Sequence, residues 1–194
     1  GSEMCIRDRY YPAENWLGTK WGDAVLGHPP TGLAVEGLVD LANFLNDGQY
    51  LEIAGHFVKA VIERKPSVFE DDGTLVRKGC GPYNYLFTHI HSRLGITLGL
   101  MKYAVATVDK ALLDRCVRGY RHIKSELCSS YGWVPECLES GPDVGVKGRD
   151  ETCAISDMIQ IAAFLSSNGF PEELATIWRY GINHLFAHQI LDLG

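Results

Sequence analysis

An all-α fold built from repeated helix pairs is predicted by three features of this 194-residue chain. Apolar residues recur at helical spacing in six segments, a turn separates the members of each pair, and the segments superpose on one another at a fixed interval. Leu38, Leu98 and Met158 stand 60 residues apart, and the same shift pairs Leu45 with Val105 and Leu165. Gly55, Gly119 and Gly181 fall at similar places in the second helices, 64 and 62 residues apart. Glycine inside a helix costs about 1 kcal/mol relative to alanine, so its recurrence predicts close helix contact at those points.

Each element has its own local justification. Residues 1–9 lack hydrophobic periodicity and resemble a translated adapter scar, so they are set aside from fold reasoning. On that reading the native N-terminus lies upstream. Residues 10–30, rich in Trp, Gly and Pro, read as an irregular entry segment in which Trp16 and Trp21 line a groove or, more ordinarily, pack. The first helix follows from the stripe Leu38, Leu41, Ala42, Leu45 and is stopped by Asn46-Asp47-Gly48. The second carries Leu51, Ala54, Val58, Val61 and Ile62 and ends before Pro66. Leu94, Leu98, Met101, Val105 and Val108 define the third, and Leu113, Cys116, Val117, Tyr120 and Leu127 the fourth. Ile155, Met158, Ile159, Ala162 and Leu165 define the fifth. After the turn Asn168-Gly169-Phe170-Pro171, the sixth carries Leu174, Ile177, Trp178, Gly181 and Leu185.

Helix pairs of this length make an open solenoid or a closed (α/α) toroid. The long Gly- and Pro-containing loops at 66–87 and 129–149 favour the toroid, with a site built by connecting loops at one rim. Six hairpins at this spacing need roughly twice the present chain. Residues 31–194 are therefore expected to form three hairpins, about half of an (α/α)6 toroid, whose missing C-terminal half is its natural partner.

Composition narrows the function. With 46% hydrophobic residues the chain can bury a core and reads as a soluble globular protein. A net charge of -6 without a Lys/Arg block argues against nucleic-acid or anionic-membrane partners. No apolar run approaches the roughly 20 residues of a membrane span. The six cysteines show no Cys-x-x-Cys spacing, so reduced thiols are the default, which favours a cytoplasmic setting. Cys116 shares a helix face with Leu113 and Tyr120 and reads as a small core residue.

Chemistry concentrates between Tyr131 and Leu165. Glu136 follows a proline in a loop where neither helix propensity nor core packing calls for a carboxylate, and Trp133 stands three residues before it. A carbohydrate site needs such a general acid and a flat apolar surface under the sugar. A solvated loop carboxylate is the plainer alternative, and Glu139 competes for the same role. Glu151 and Cys153 open the fifth helix. Glu151 alone is explained by the preference for carboxylates in a first turn, and Cys153 by burial of a small residue. Seven residues before the anchors Leu98 and Met158 stand His91 and Glu151; the same count matches Arg93 with Cys153 and His89 with Arg149. Polar residues thus gather at one end of two neighbouring helices. His56, His122, His184 and His188 read as surface or packing residues.

The segment Glu151-Thr152-Cys153-Ala154 opening a helix, with Glu136 upstream, resembles the glycoside hydrolase family 127 β-L-arabinofuranosidases and their relatives, which are (α/α)6-toroid enzymes. That resemblance covers Trp133 to Leu165. It implies that Glu151 and Cys153 are zinc ligands and Glu136 the general acid/base. From their place at the same rim, His89, His91, Arg93 and Trp133 are expected to hold a carbohydrate substrate. The family completes its zinc site with a Cys-Cys pair that includes the nucleophile, and no such pair occurs in this chain. The chain alone is expected to be inactive. A toroid polysaccharide lyase using His89 or His91 as base, and a helical-repeat binding protein without catalysis, are the rival readings. The last requires Glu136, Glu151 and His91 to point apart.

Overall fold

The computed structural model of the chain describes residues 29–63, 69–74, 89–136 and 150–186. The readings made for residues 1–28, Glu139 and His188 fall outside that set. Three consecutive helix pairs are present: α1 (Pro29–Leu45) with α2 (Gly48–Glu63), α3 (Ile90–Ala106) with α4 (Lys110–Glu126), and α5 (Thr152–Ser167) with a broken second helix. That second helix consists of a 3-10 turn (Pro171–Glu173), α6 (Leu174–Tyr180) and a π-helical turn (Gly181–Leu185). Among the described residues there is no strand; an isolated antiparallel bridge joins Pro135 to Asp150. No helix among them is long and apolar enough to cross a membrane.

The turns use local chemistry that the sequence displays. Asn46 adopts φ 52, a left-handed value that asparagine tolerates, and the Asp47 carboxylate accepts the Gln49 amide at 2.9 Å to start α2. Asp109 caps α4 by accepting the Leu112 amide at 3.0 Å. α3 packs against α1, α2, α4 and α5 and is therefore buried nearly all round, including Leu94, Ile96, Leu98, Leu100 and Met101. Its nearly uniform apolarity follows from that central place. Lys102 ties α3 to α1 through Glu36 and Asp40, both at 2.8 Å.

Three predicted stripes need correction. α1 buries Val35, Val39 and Ala42, while Leu41 and Leu45 are exposed. The helix is apolar on more than one face, and α2 and α3 cover the valine face. Val105 and Val108 also lie exposed, because α3 ends at Ala106 and Val108 enters the turn with φ 58. The sixth helix departs in part from expectation: Leu185 packs against the core, but Leu174 and Trp178 are exposed, as are Ile182 and Phe186, while Glu173, Thr176, Tyr180 and His184 are buried. Each buried polar group has a partner. Lys124 binds Glu173, Glu173 accepts from Thr176, Tyr180 bonds the Cys128 thiol, and His184 bonds Asp150. Satisfied hydrogen bonds thus select the face that hydrophobic periodicity did not.

The recurring glycines make close contacts at two of the three positions. A Cβ on Gly55 would lie 2.8 Å from the Tyr103 hydroxyl, and one on Gly119 would lie 2.3 Å from Cε1 of Phe69. Gly181 has nothing within 4 Å and instead opens the π-helical turn. At Gly119 the neighbour is a ring from the segment between hairpins rather than another helix. Phe69 is itself buried, so it has little room to yield. Gly119→Ala gains about 1 kcal/mol of helix propensity but overpacks the core by about 1–3 kcal/mol. The expected result is a net loss of about 1 kcal/mol in urea unfolding; an unchanged midpoint would show that Phe69 swings aside.

Candidate active site

The first turns of α3 and α5 lie side by side. His89 is the N-cap residue of α3 and Glu151 that of α5, and neither uses its side chain to cap its own helix. His89 Nε2 instead donates to Glu151 Oε2 at 2.6 Å, and the Ser92 hydroxyl meets His89 Nδ1 at 3.0 Å. The Cys153 thiol lies beside Glu151. Burial raises the Glu151 pKa, but the Cys153 thiol, the bond from His89 and the nearby imidazoles outweigh it, so the carboxyl sits below its ordinary value. The Cys153 thiol is pushed up to about 12 by burial first and then by the Glu151 carboxylate.

A second pair stands beside the first. His91 Nδ1 donates to Asp157 Oδ2 at 2.6 Å, and the His89 and His91 rings meet edge to face with centroids 5.7 Å apart. The bond to Asp157 raises the His91 pKa against the opposing effect of burial, while burial raises that of Asp157. The two carboxyl groups at this rim are thus displaced in opposite directions, Glu151 down and Asp157 up.

Glu136 enters through its backbone. Its carbonyl accepts the Ile90 amide at 2.9 Å, and the preceding Pro135 bridges Asp150. The loop from 129 to 136 is tied to the starts of both helices. Trp133 is half-buried, with its amide held by Ser129 Oγ at 2.9 Å. Arg93 lies one turn into α3 and is only 3% exposed. Burial lowers its pKa to about 9. It is therefore not presented at the rim as His91 is.

Asp157 and the pair His184–Asp150 escaped the sequence reading. A carboxylate between Ile155 and Met158 on a core-facing stretch was the available signal for Asp157, because burying an unpaired charge is costly. His184 is buried, which fits the packing alternative, but it also joins two distant segments. It bonds Asp150 Oδ2 through Nε2 at 2.6 Å and the Gly132 carbonyl through Nδ1 at 2.9 Å.

The donor types of Glu151 and Cys153 suit zinc, and their mutual contact brings two donors together. Among the described residues, however, no group of three or more His, Cys, Asp or Glu side chains is arranged to hold a metal ion.

Asp157→Asn tests the second pair. The groups facing His91 are Asp157, Glu151 and the His89 ring. A raised folded-state pKa means that the native state holds the His91 proton more tightly than the unfolded chain. The stabilisation is full below the ordinary value of 6.5 and is lost as pH rises through the folded value. The stability gap between wild type and Asp157→Asn should therefore shrink as pH rises above 6.5, with His91 titrating at lower pH in the variant by NMR. A gap independent of pH would show that the bond carries no proton linkage.

The chain matches no known protein family, no curated protein and no solved structure.

Proposed function

We propose that the chain is part of a toroid glycoside hydrolase whose reaction takes place where α3 and α5 begin. The observation that carries the reading is the convergence there of His89, Glu151 and Cys153 with the pair His91–Asp157. Perturbed carboxyl groups gather at functional sites, and Glu151 and Asp157 are displaced in opposite directions there. A purely structural helical repeat has no need of such a cluster in a partly exposed position.

In the proposed reaction Glu136 protonates the leaving oxygen. His89 and His91 bind sugar hydroxyls, Trp133 offers its ring to the sugar face, and Arg93 acts through its charge from within α3. Zinc belongs to the proposal as a cofactor held by Glu151 and Cys153, with further ligands contributed from outside the described residues. When bound there, it would stabilise the Cys153 thiolate. The resemblance to family 127 assigns the nucleophile to a thiolate beyond this stretch.

Closure into a toroid is the architectural half of the proposal. Leu174, Trp178 and Ile182 occupy the register of Leu112, Cys116 and Tyr120, which neighbouring elements bury, yet they are exposed themselves. Leu41, Phe44 and Leu45 are exposed on the first hairpin as well. Apolar stripes on both outer hairpins support packing against further hairpins of the same kind.

The test, made on the full-length protein in which further hairpins complete the toroid, is hydrolysis of a panel of neutral aryl glycosides and polysaccharides, with reducing ends and unsaturated uronates followed in parallel. Reducing sugar alone supports the proposal. Unsaturated uronates would transfer the site to a lyase with a histidine base. Glycan binding with neither product would leave a binding module.

A further inference from the structure

We infer that His184 is a positioning residue that locks the Gly132–Glu136 segment to the Asp150–Glu151 segment, fixing the candidate acid/base relative to Glu151. Its catalytic meaning rests on the glycosidase reading, but the clamp itself does not. His184 sits 34 residues from Asp150 and 52 from Gly132, yet one imidazole bonds both, at 2.6 and 2.9 Å. The carboxylate belongs to the residue immediately before Glu151. The carbonyl lies four residues before Glu136. A buried ring holding one group on each segment has little freedom to let either move alone.

The surrounding backbone is shaped to allow this contact. The helix relaxes into a π-helical turn at Gly181–Leu185, a distortion that recurs at functional sites. Within that turn Asn183 Nδ2 also reaches the Tyr131 carbonyl at 3.0 Å, so adjacent residues grip adjacent carbonyls of the same loop. Gly132 has φ +108, and a Cβ there would lie 3.0 Å from the Arg179 carbonyl. Glycine lets the loop approach the helix closely enough for both bonds to form. The two clamped segments then meet through the Pro135–Asp150 bridge, and Glu136 holds the Ile90 amide. His184 thereby acts on three elements: the loop, the start of α5 and the start of α3.

The test compares His184→Ala, His184→Asn and His184→Gln in the full chain. Asparagine places an amide near the Nδ1 position and retains a donor for the Gly132 carbonyl; glutamine reaches toward Asp150 and retains that bond instead. NMR amide exchange at Gly132, whose N–H is held by Ser129, reports the loop, and Ile90, held by Glu136, reports its contact with α3. Ile155, held by Glu151, reports the start of α5. His184→Ala should accelerate exchange at all three by about tenfold, with Leu98 in mid-α3 unchanged. His184→Asn should restore Gly132 alone and His184→Gln Ile155 alone, and this pair decides the question if the alanine variant fails to fold. In the active enzyme kcat should fall with KM nearly constant. Acceleration spread evenly over α3 and α4, or none at Ile90, would overturn the clamp. A full-length protein that hydrolyses no glycoside but shows the local exchange pattern would retain the clamp and lose the glycosidase reading.

Discussion

On the proposed glycosidase reading, replacing Glu136 by glutamine in the full-length protein is expected to lower glycoside hydrolysis by roughly a hundred- to ten-thousand-fold, the usual contribution of a positioned general acid. Glutamine keeps the shape of the side chain and removes only the proton it can deliver. The backbone there is held independently of the carboxyl group, by the Ile90 amide at 2.9 Å and the Pro135–Asp150 bridge. Thermal unfolding of the variant is the control for folding. The diagnostic comparison varies the leaving group: a glycoside of an acidic phenol departs without a proton, so the loss on it should be far smaller than on a glycoside of a simple alcohol. Equal losses on both substrates would make Glu136 a binding or structural residue. No loss on either would remove it from the site and return attention to Glu139.

The hairpin plan was legible because it rests on short-range periodicity. Ala54, Val58 and Val61 in α2, and Ile155, Met158, Ala162 and Leu165 in α5, are buried as their spacing required. The first helix was misread by one face because its apolar residues outnumber the positions one neighbour can cover. The sixth was misread for a different reason. Hydrophobic periodicity assumes that the apolar face is the inner one, but Glu173, Thr176, Tyr180 and His184 each find a partner that appears only once distant segments meet. The cluster at the starts of α3 and α5 was half legible: the 60-residue register placed His91 and Glu151 at equivalent ends. It did not say that the bonds would cross, His89 to Glu151 and His91 to Asp157. Which carboxylate serves which imidazole depends on the offset between helices, and no single-helix pattern encodes that.

Glu173→Ala is expected to cost about 3 kcal/mol of stability, the scale for breaking a buried ion pair. The residue is 2% exposed. It takes Lys124 Nζ at 2.7 Å and the Thr176 hydroxyl at 2.8 Å, with the Tyr120 hydroxyl at 3.4 Å. Lys124 also lies 5.1 Å from the centroid of the Tyr120 ring. Removing the carboxylate leaves the lysine, a threonine and a tyrosine without their common acceptor in a place water reaches poorly. The adjacent pair Arg121–Glu172 has the same bond length class, 2.8 Å, but both side chains are about half exposed. Exposed pairs contribute about 0–1 kcal/mol, so Glu172→Ala should leave the urea midpoint nearly unmoved. The contrast between neighbouring glutamates separates burial from charge. A double replacement, Lys124→Met with Glu173→Leu, should recover much of the loss, because no charge is then stranded. If Glu173→Ala is as mild as Glu172→Ala, Lys124 must reach solvent when released. The buried polar face of the sixth helix would then be held by Tyr180 and His184, not by its first turn.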